Sequence, residues 1–110
     1  MPKRSFIGPV AMLALFVCVS AQAYGVQAAE VTVTIGNFVF SPASVPVHTG
    51  DKVTFVNGDD TIHSVQSDDG SFHSAGLDTG DKISFTFDHP GTFLYHCGLH
   101  PFMQGKIVVE

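Results

Sequence analysis

Residues 93–109 read FLYHCGLHPFMQGKIVV, two apolar strand-like segments on either side of a short loop. Phe93 and Tyr95 alternate with their neighbours before the loop, and an Ile-Val-Val run follows it. Alternation with a period of two residues is typical of a strand that buries one face. The loop runs from Cys97 to Met103 and is closed by Gly105. This stretch therefore predicts two strands joined by a loop that carries sulfur and imidazole side chains.

The same alternation recurs along the chain after residue 29. Its apolar positions are Val31, Val33 and Ile35, then Phe38 and Phe40, then Val53 and Phe55, and then Ile83, Phe85 and Phe87. Turn signals such as Thr49-Gly50-Asp51 and His89-Pro90-Gly91 separate these segments. Short strands spaced in this way predict an all-β sandwich or barrel with the strand Phe residues in its core. No segment predicts an amphipathic helix, and residues 74–80 are expected to form a loop.

The N-terminal segment has the three parts of a secretory signal peptide. The chain begins with Met-Pro-Lys-Arg, continues with an apolar run over residues 6–19, and then turns to small residues. The run is shorter than the roughly 20 residues of a transmembrane helix, which disfavours the alternative of a retained membrane anchor. We expect residues 1–28 to be a signal peptide cleaved after Ala28, with Ala23 as the alternative site, and the protein to be periplasmic.

Residues 29–110 then form one small acidic domain. Three lysines face ten carboxylates in this range, a net charge of −7. Such a charge disfavours nucleic acid and anionic membranes as partners and is compatible with a basic protein surface. Cys97 is the one cysteine after residue 28. A lone thiol in an oxidising compartment is exposed to oxidation unless it is buried or occupied, for example by a metal.

The loop offers three metal ligands within seven residues: Cys97, His100 and Met103. A thiolate binds copper strongly, an imidazole suits both Cu(I) and Cu(II), and a thioether is a weak ligand that favours Cu(I). Two His, one Cys and a long axial Met make the trigonal blue-copper set, whereas Met is a poor fourth ligand for zinc. The loop therefore predicts a copper site that takes a second histidine from elsewhere.

His63 is the best candidate for that second histidine. It follows the Asn57-Gly58 turn that ends a strand, where a distant ligand would reach the cysteine loop. His73 is the alternative and is otherwise expected to be a loop residue. His96 should point to the opposite face of its strand from Cys97. His48 and His89 lie in turns and are expected to be solvated, as are the Asp59-Asp60 and Asp68-Asp69 pairs.

The segment from Tyr95 to Glu110 resembles the C-terminal motif of the cupredoxins, and of the amicyanin group in particular. Two further motifs match, Gly50-Asp51-x-Val53-x-Phe55-x-Asn57 and Phe87-x-x-Pro90-Gly91-Thr92-Phe93, and the resemblance covers residues 31–110. It implies a Greek-key sandwich of about eight strands, one type 1 copper ion held by His63, Cys97, His100 and Met103, and a role in electron transport.

The sequence departs from that family at three places. Ser64 replaces an Asn whose side chain ties the two ligand loops together, although the Ser64 N–H can still bond the Cys97 sulfur. Gly98-Leu99 replaces a more usual Thr-Pro, which predicts a more mobile loop. We also expect the chain to lack the N-terminal extension of typical amicyanins, which leaves open whether methylamine dehydrogenase or another protein is its redox partner.

These observations predict a monomeric one-electron carrier, with copper as its cofactor. Transient redox partners would dock at the apolar patch of Pro101 and Phe102 around His100. A copper storage or delivery protein is the alternative, since the same ligands would serve it. An enzyme is disfavoured, because a copper oxidase or nitrite reductase needs further copper sites with paired His motifs, and no His-x-His pair occurs here.

Overall fold

A computed structural model describes residues 27–110, and most of the expected signal peptide lies outside this range. The described chain forms eight strands. They are β1 (Glu30–Gly36), β2 (Val39–Ser41), β3 (Ser44–Val47), β4 (Asp51–Asn57), β5 (Gln66–Ser67), β6 (Lys82–Phe87), β7 (Gly91–His96) and β8 (Gln104–Val109). Residues 74–80 lie in the connection between β5 and β6, as expected for a loop. Within residues 27–110 there is no helix of the length and hydropathy needed to cross a membrane.

The strands form two four-stranded sheets, in the orders β2-β1-β4-β6 and β3-β8-β7-β5. β1 runs parallel to β4 and β3 parallel to β8, while the other paired strands are antiparallel. Because consecutive strands such as β3 and β4 lie in different sheets, the chain crosses repeatedly between the two layers. The predicted all-β sandwich of eight strands is confirmed.

The alternation in the sequence did not predict two of these strands, β3 and β5. β3 contains Pro46, which has no N–H to donate to a neighbouring strand and therefore weakens a strand signal. The structure accommodates it because β3 is an edge strand that pairs with β8 alone. β5 has two residues, too few for any alternation to be visible.

The core lies between the inward faces of the two sheets. Its fully buried members include Val33, Ile35, Val53 and Phe55 from the first sheet and Val45, Tyr95 and Ile107 from the second. The Tyr95 ring packs edge-on against Phe40 and Phe55, with ring centroids 4.9 and 5.2 Å apart. Burying each such side chain contributes roughly 1.5–3 kcal/mol to folding, so alternation along the strands fixes which face turns inward.

One end of the sandwich gathers the predicted ligand loops. β7 ends at His96 and β8 begins at Gln104, and these two residues pair across the hairpin. β4 ends at Asn57, whose buried side-chain amide donates to the carbonyls of Thr61 (2.9 Å) and Leu77 (2.8 Å). Asn57 thus ties the loop after β4 to the connection between β5 and β6. The loop after β4 and the loop between β7 and β8 are therefore both anchored on strands.

The pairing of Gly105 with Tyr95 gives a stability prediction. A Cβ atom on Gly105 would overlap the Tyr95 ring, which its aromatic neighbours hold in place. Gly105→Ala should therefore lower the free energy of unfolding by about 1–3 kcal/mol, as overpacked cores do. Gly36→Ala is the matched control, because nothing lies within 4 Å of a Cβ at that position. Equal midpoints for the two variants in urea unfolding would contradict this packing.

Candidate metal centre

The seven-residue loop from Cys97 to Met103 is closed by two backbone bonds. The Cys97 N–H donates to the Met103 carbonyl at 3.0 Å, and the Met103 N–H donates to the His100 carbonyl at 2.9 Å. Since β7 and β8 are paired up to the residues that flank the loop, Cys97 and Met103 start and finish at neighbouring positions. The segment from Cys97 to Met103 therefore folds into a compact loop, and its three donor residues lie together at one end of the sandwich.

His63 reaches the same end from a loop 34 residues earlier. Its backbone forms an antiparallel bridge with Leu77, through N–H to carbonyl bonds of 3.1 and 2.7 Å. Its side chain is fully buried. The bridge to Leu77, together with the Asn57 amide, fixes the backbone from which the imidazole projects.

The donor atoms of His63, Cys97 and His100 converge. The Cys97 Sγ lies 3.7 Å from Nδ1 of His63 and 3.7 Å from Nδ1 of His100. All three atoms lie within 4.8 Å of one another. Metal–N and metal–S bonds of about 2.1 and 2.3 Å would place trigonal donors about 3.8 Å apart, so the spacing fits a single ion. Residues 27–110 contain no other group of three His, Cys or acidic side chains with this convergence.

The four predicted ligands differ in exposure. His63 and Cys97 are fully buried and Met103 is 2% exposed, whereas the His100 imidazole is partly exposed. Met103 belongs to the buried apolar cluster that contains Cys97. The centre is therefore closed on the protein side and meets solvent at one imidazole.

The remaining histidines lie away from this centre. His73 is exposed and bridges to Gln66 by its backbone, so the alternative to His63 is not part of the group. His96 points outward, as predicted, and its Nδ1 lies 2.7 Å from the Asp68 carboxylate. His48 and His89 are exposed, as expected for turn residues.

Hydrogen bonds to the sulfur favour its thiolate form. Burial alone would raise the pKa of Cys97, but the Ser64 N–H at 3.3 Å, the His100 and His63 rings and the Leu99 backbone together lower it to about 6. The bond from the Ser64 N–H was predicted and is confirmed. A thiol that loses its proton this readily is ready to bind a metal near neutral pH.

Ser64 and Gly98, two of the departures from the family pattern, compensate for each other. The Ser64 Oγ accepts a hydrogen bond from the Gly98 N–H at 2.9 Å, so the short side chain does link the two ligand loops. A Cβ on Gly98 would lie 2.7 Å from Oε1 of Gln66 and 2.9 Å from the Ser64 Oγ, so a larger residue here would have to displace the ends of these two side chains. The hydrogen bond between Ser64 and Gly98 therefore takes the place of the link between the two ligand loops that the resemblance assigns to Asn.

Asp59 has a role that the sequence did not reveal. We expected a solvated turn carboxylate, but its Oδ2 lies 2.8 Å from Nε2 of His63. An ionised carboxylate can only accept, so Nε2 donates to Asp59, and Nδ1, which faces the Cys97 sulfur, is the ring nitrogen that a metal would bind in place of a proton. The Phe38 N–H above all, helped by His63 and Asn37 and opposed by partial burial, lowers the pKa of Asp59.

Phe38 also differs from expectation. The alternation placed it in the core, yet it is 40% exposed and lies at the turn between β1 and β2. Its ring meets the imidazoles of His63 and His100 edge-on, with centroids 5.3 and 5.2 Å apart, and stacks near Phe102 at 6.4 Å. The aromatic surface around His100 is therefore larger than the Pro101 and Phe102 patch that the sequence predicted.

This fold and this group of side chains are those of a cupredoxin. Residues 9–109 match the family model described as cupredoxin-like domain, and the chain belongs to that family.

Within the family, the chain is similar to the amicyanins. It is 35% identical to amicyanin from Paracoccus denitrificans over 85 residues, which cover 73% of this chain and 65%, just under two thirds, of that protein. It is 32% identical to amicyanin-alpha from Methylorubrum extorquens, with 91% and 94% of the two chains covered. The structure of an oxidized amicyanin mutant superposes with a TM-score of 0.70 at 32% identity, over 73% of this chain and 81% of that one. The predicted resemblance is thus confirmed.

The lowered pKa of Cys97 predicts how the metal-free protein responds to pH. The folded thiol titrates near pH 6 and the unfolded thiol near its ordinary value of 9.0, so the unfolded chain binds more protons between these values. The free energy of unfolding should therefore rise from pH 6 to pH 9, and the thiolate absorbance near 240 nm should appear with a midpoint near 6. Cys97→Ser should lack both effects. A thiolate that appears only near pH 9 in the folded protein would contradict the hydrogen bonding described.

Proposed function

We propose that this protein holds one copper ion in a type 1 site and carries single electrons between redox proteins. The observation that carries the proposal is the convergence of the donor atoms of His63, Cys97 and His100 within 4.8 Å. A thiolate, two imidazoles and the thioether of Met103 as a weak axial ligand form the donor set of blue-copper electron-transfer sites. Membership of the cupredoxin-like family supports the same assignment.

The residues present fit copper better than zinc. Structural zinc sites use four Cys, His or carboxylate ligands, whereas the fourth proposed ligand here is Met103, whose thioether is a poor ligand for zinc. Sulfur ligands favour Cu(I), while imidazoles suit both oxidation states. When bound, the copper ion supplies the one-electron redox chemistry.

The chain's own residues hold the proposed ligands still. Asp59 fixes the His63 ring, and the Ser64 N–H and Oγ fix the Cys97 sulfur and the following peptide. Burial of His63, Cys97 and Met103 keeps water out. Ligands that cannot rearrange undergo little change between two oxidation states, so electron transfer would meet a small reorganisation barrier.

His100 is the proposed path for electrons to the surface. It is the ligand with an exposed edge, and exposed apolar side chains lie around it, including Phe38, Leu99 and Phe102. A small apolar patch suits weak and brief docking of a redox partner. The net charge of −7 over residues 29–110 favours partners with a basic surface.

We further propose that the domain begins at Ala29 and acts as a monomer in the periplasm after removal of residues 1–28. Residues 1–26 lie outside the described part of the chain. Ala29 is already bonded into the sandwich, because its N–H donates to Asp51 at 2.8 Å and its carbonyl accepts from Lys52 at 2.9 Å. Cleavage after Ala28 would therefore leave this bonded start intact.

We propose a carrier rather than an enzyme. Three of the four proposed ligands are buried, so a substrate would find no free coordination position on the protein side of the centre. Storage or delivery of copper would use the same ligands, but it would not require an exposed ligand edge inside an apolar patch.

Electron self-exchange tests the carrier function directly. In mixtures of the Cu(I) and Cu(II) forms, NMR line broadening should show fast exchange between two copies that meet at the apolar patch. Phe102→Asp, at a residue that is 71% exposed, should slow this exchange by about tenfold or more, because like charges would face each other.

Leu94→Asp is the matched control for that variant. Leu94 is 52% exposed on β7 and should leave the exchange rate close to that of the wild type. Bound copper without measurable self-exchange would reject the carrier and favour storage or delivery. Equal slowing in both variants would reject docking at the patch around His100.

A further inference from the structure

The turn between β1 and β2 has a backbone conformation that its sequence does not favour. Gly36 pairs with Val39, which leaves Asn37 and Phe38 as a two-residue turn with φ angles of 50° and 59°. A two-residue turn with two positive φ angles is of type I′, and glycine is the usual residue at its second position. Phe38 thus occupies, at a cost in free energy, a position that glycine would fill without strain.

One carboxylate holds this turn in place. Asp59 accepts the Asn37 N–H at 2.6 Å through Oδ1 and the Phe38 N–H at 2.9 Å through Oδ2. The same Oδ2 lies 2.8 Å from Nε2 of His63. The strained turn and the buried imidazole are therefore fixed by a single side chain, although the turn and Asp59 lie 21 to 22 residues apart.

The conformation places the Phe38 ring against both imidazoles. The ring centroid lies 5.3 Å from that of His63 and 5.2 Å from that of His100, and both contacts are edge-on. Because the side chain is 40% exposed, filling of the core does not account for its position. Strained backbone that persists at such a place is typical of a functional requirement.

We propose that Phe38 is a positioning residue for the metal centre. Its ring forms a wall beside His63 and His100 and limits the movement of His100, the proposed ligand with an exposed edge. The left-handed turn is kept because it brings the ring to this place. The test by copper release rests on the proposed copper site. The unfolding and NMR tests use the metal-free protein and do not depend on that site.

The backbone part of the proposal is tested by comparing Phe38→Ala with Phe38→Gly. Both variants lose the ring, so their difference isolates the backbone. Glycine usually destabilises the interior of a helix or strand relative to alanine, but at this positive φ angle the metal-free Phe38→Gly protein should have an unfolding equilibrium constant about fivefold smaller than that of Phe38→Ala. A larger constant for Phe38→Gly would overturn the claim of strain.

The positioning part is tested by the rate of copper release to a chelator. Phe38→Ala and Phe38→Gly should both release copper about tenfold faster or more, because the wall beside the imidazoles is gone. Phe38→Tyr should keep the wild-type rate, as should Val39→Ala, the neighbouring control at a residue that is 50% exposed. If the ring contributed only to the stability of the fold, the rate of copper release would follow the stability of the variants. Phe38→Gly would then release copper more slowly than Phe38→Ala.

NMR of the metal-free protein separates this proposal from the proposed function. The His100 ring signals should broaden by microsecond-to-millisecond exchange in Phe38→Ala and stay sharp in the wild type and in Val39→Ala. Unchanged His100 signals in a folded Phe38→Ala protein would overturn the positioning role. A wild type that binds no copper would reject the proposed function and still leave this measurement valid.

Discussion

The contact between Ser64 and the Cys97–Gly98 segment is the interaction on which the ligand end of the molecule depends. It joins two loops that lie 34 residues apart in the chain, through the Ser64 N–H to the sulfur and the Gly98 N–H to the Ser64 Oγ. Without it, the separation of His63 from the donors on the other loop would depend on the pairing of β5 with β7, at Gln66 with His96 and Ser67 with Tyr95. The sandwich brings the loops near each other, and this contact fixes the final few ångströms.

The four proposed ligands differ in how firmly they are held and in how far they are exposed. His63 is held by its backbone bridge, by Asp59 and by full burial, and Cys97 by burial and donated hydrogen bonds. His100 alone among the four proposed ligands has an exposed edge, and aromatic side chains stand beside it. Such an arrangement suits a carrier, because it protects the redox centre while leaving one short path to a docked partner.

Much of this was predictable from the sequence, and what was not has a physical reason. Cys97, His100 and Met103 share a short loop, so their spacing alone indicated a site, and period-two alternation indicated the sandwich. His63 required the additional inference that strand β4 ends near that loop. Asp59 and Phe38 could not be predicted, because their contacts join a turn to a loop more than 20 residues away, and alternation placed Phe38 in the core. The pairing of Ser64 with Gly98 likewise exists only once the loops are folded together.

The most direct test of the central claim is spectroscopic. The protein should be loaded with one equivalent of Cu(II), and its visible absorption and electron spin resonance spectra recorded. A trigonal site with the Cys97 thiolate as a ligand predicts an intense visible absorption band and narrow copper hyperfine splitting. A pale product with ordinary, wide hyperfine splitting would mean that Cys97 does not bind the metal, and would contradict the account of this centre as a type 1 copper site.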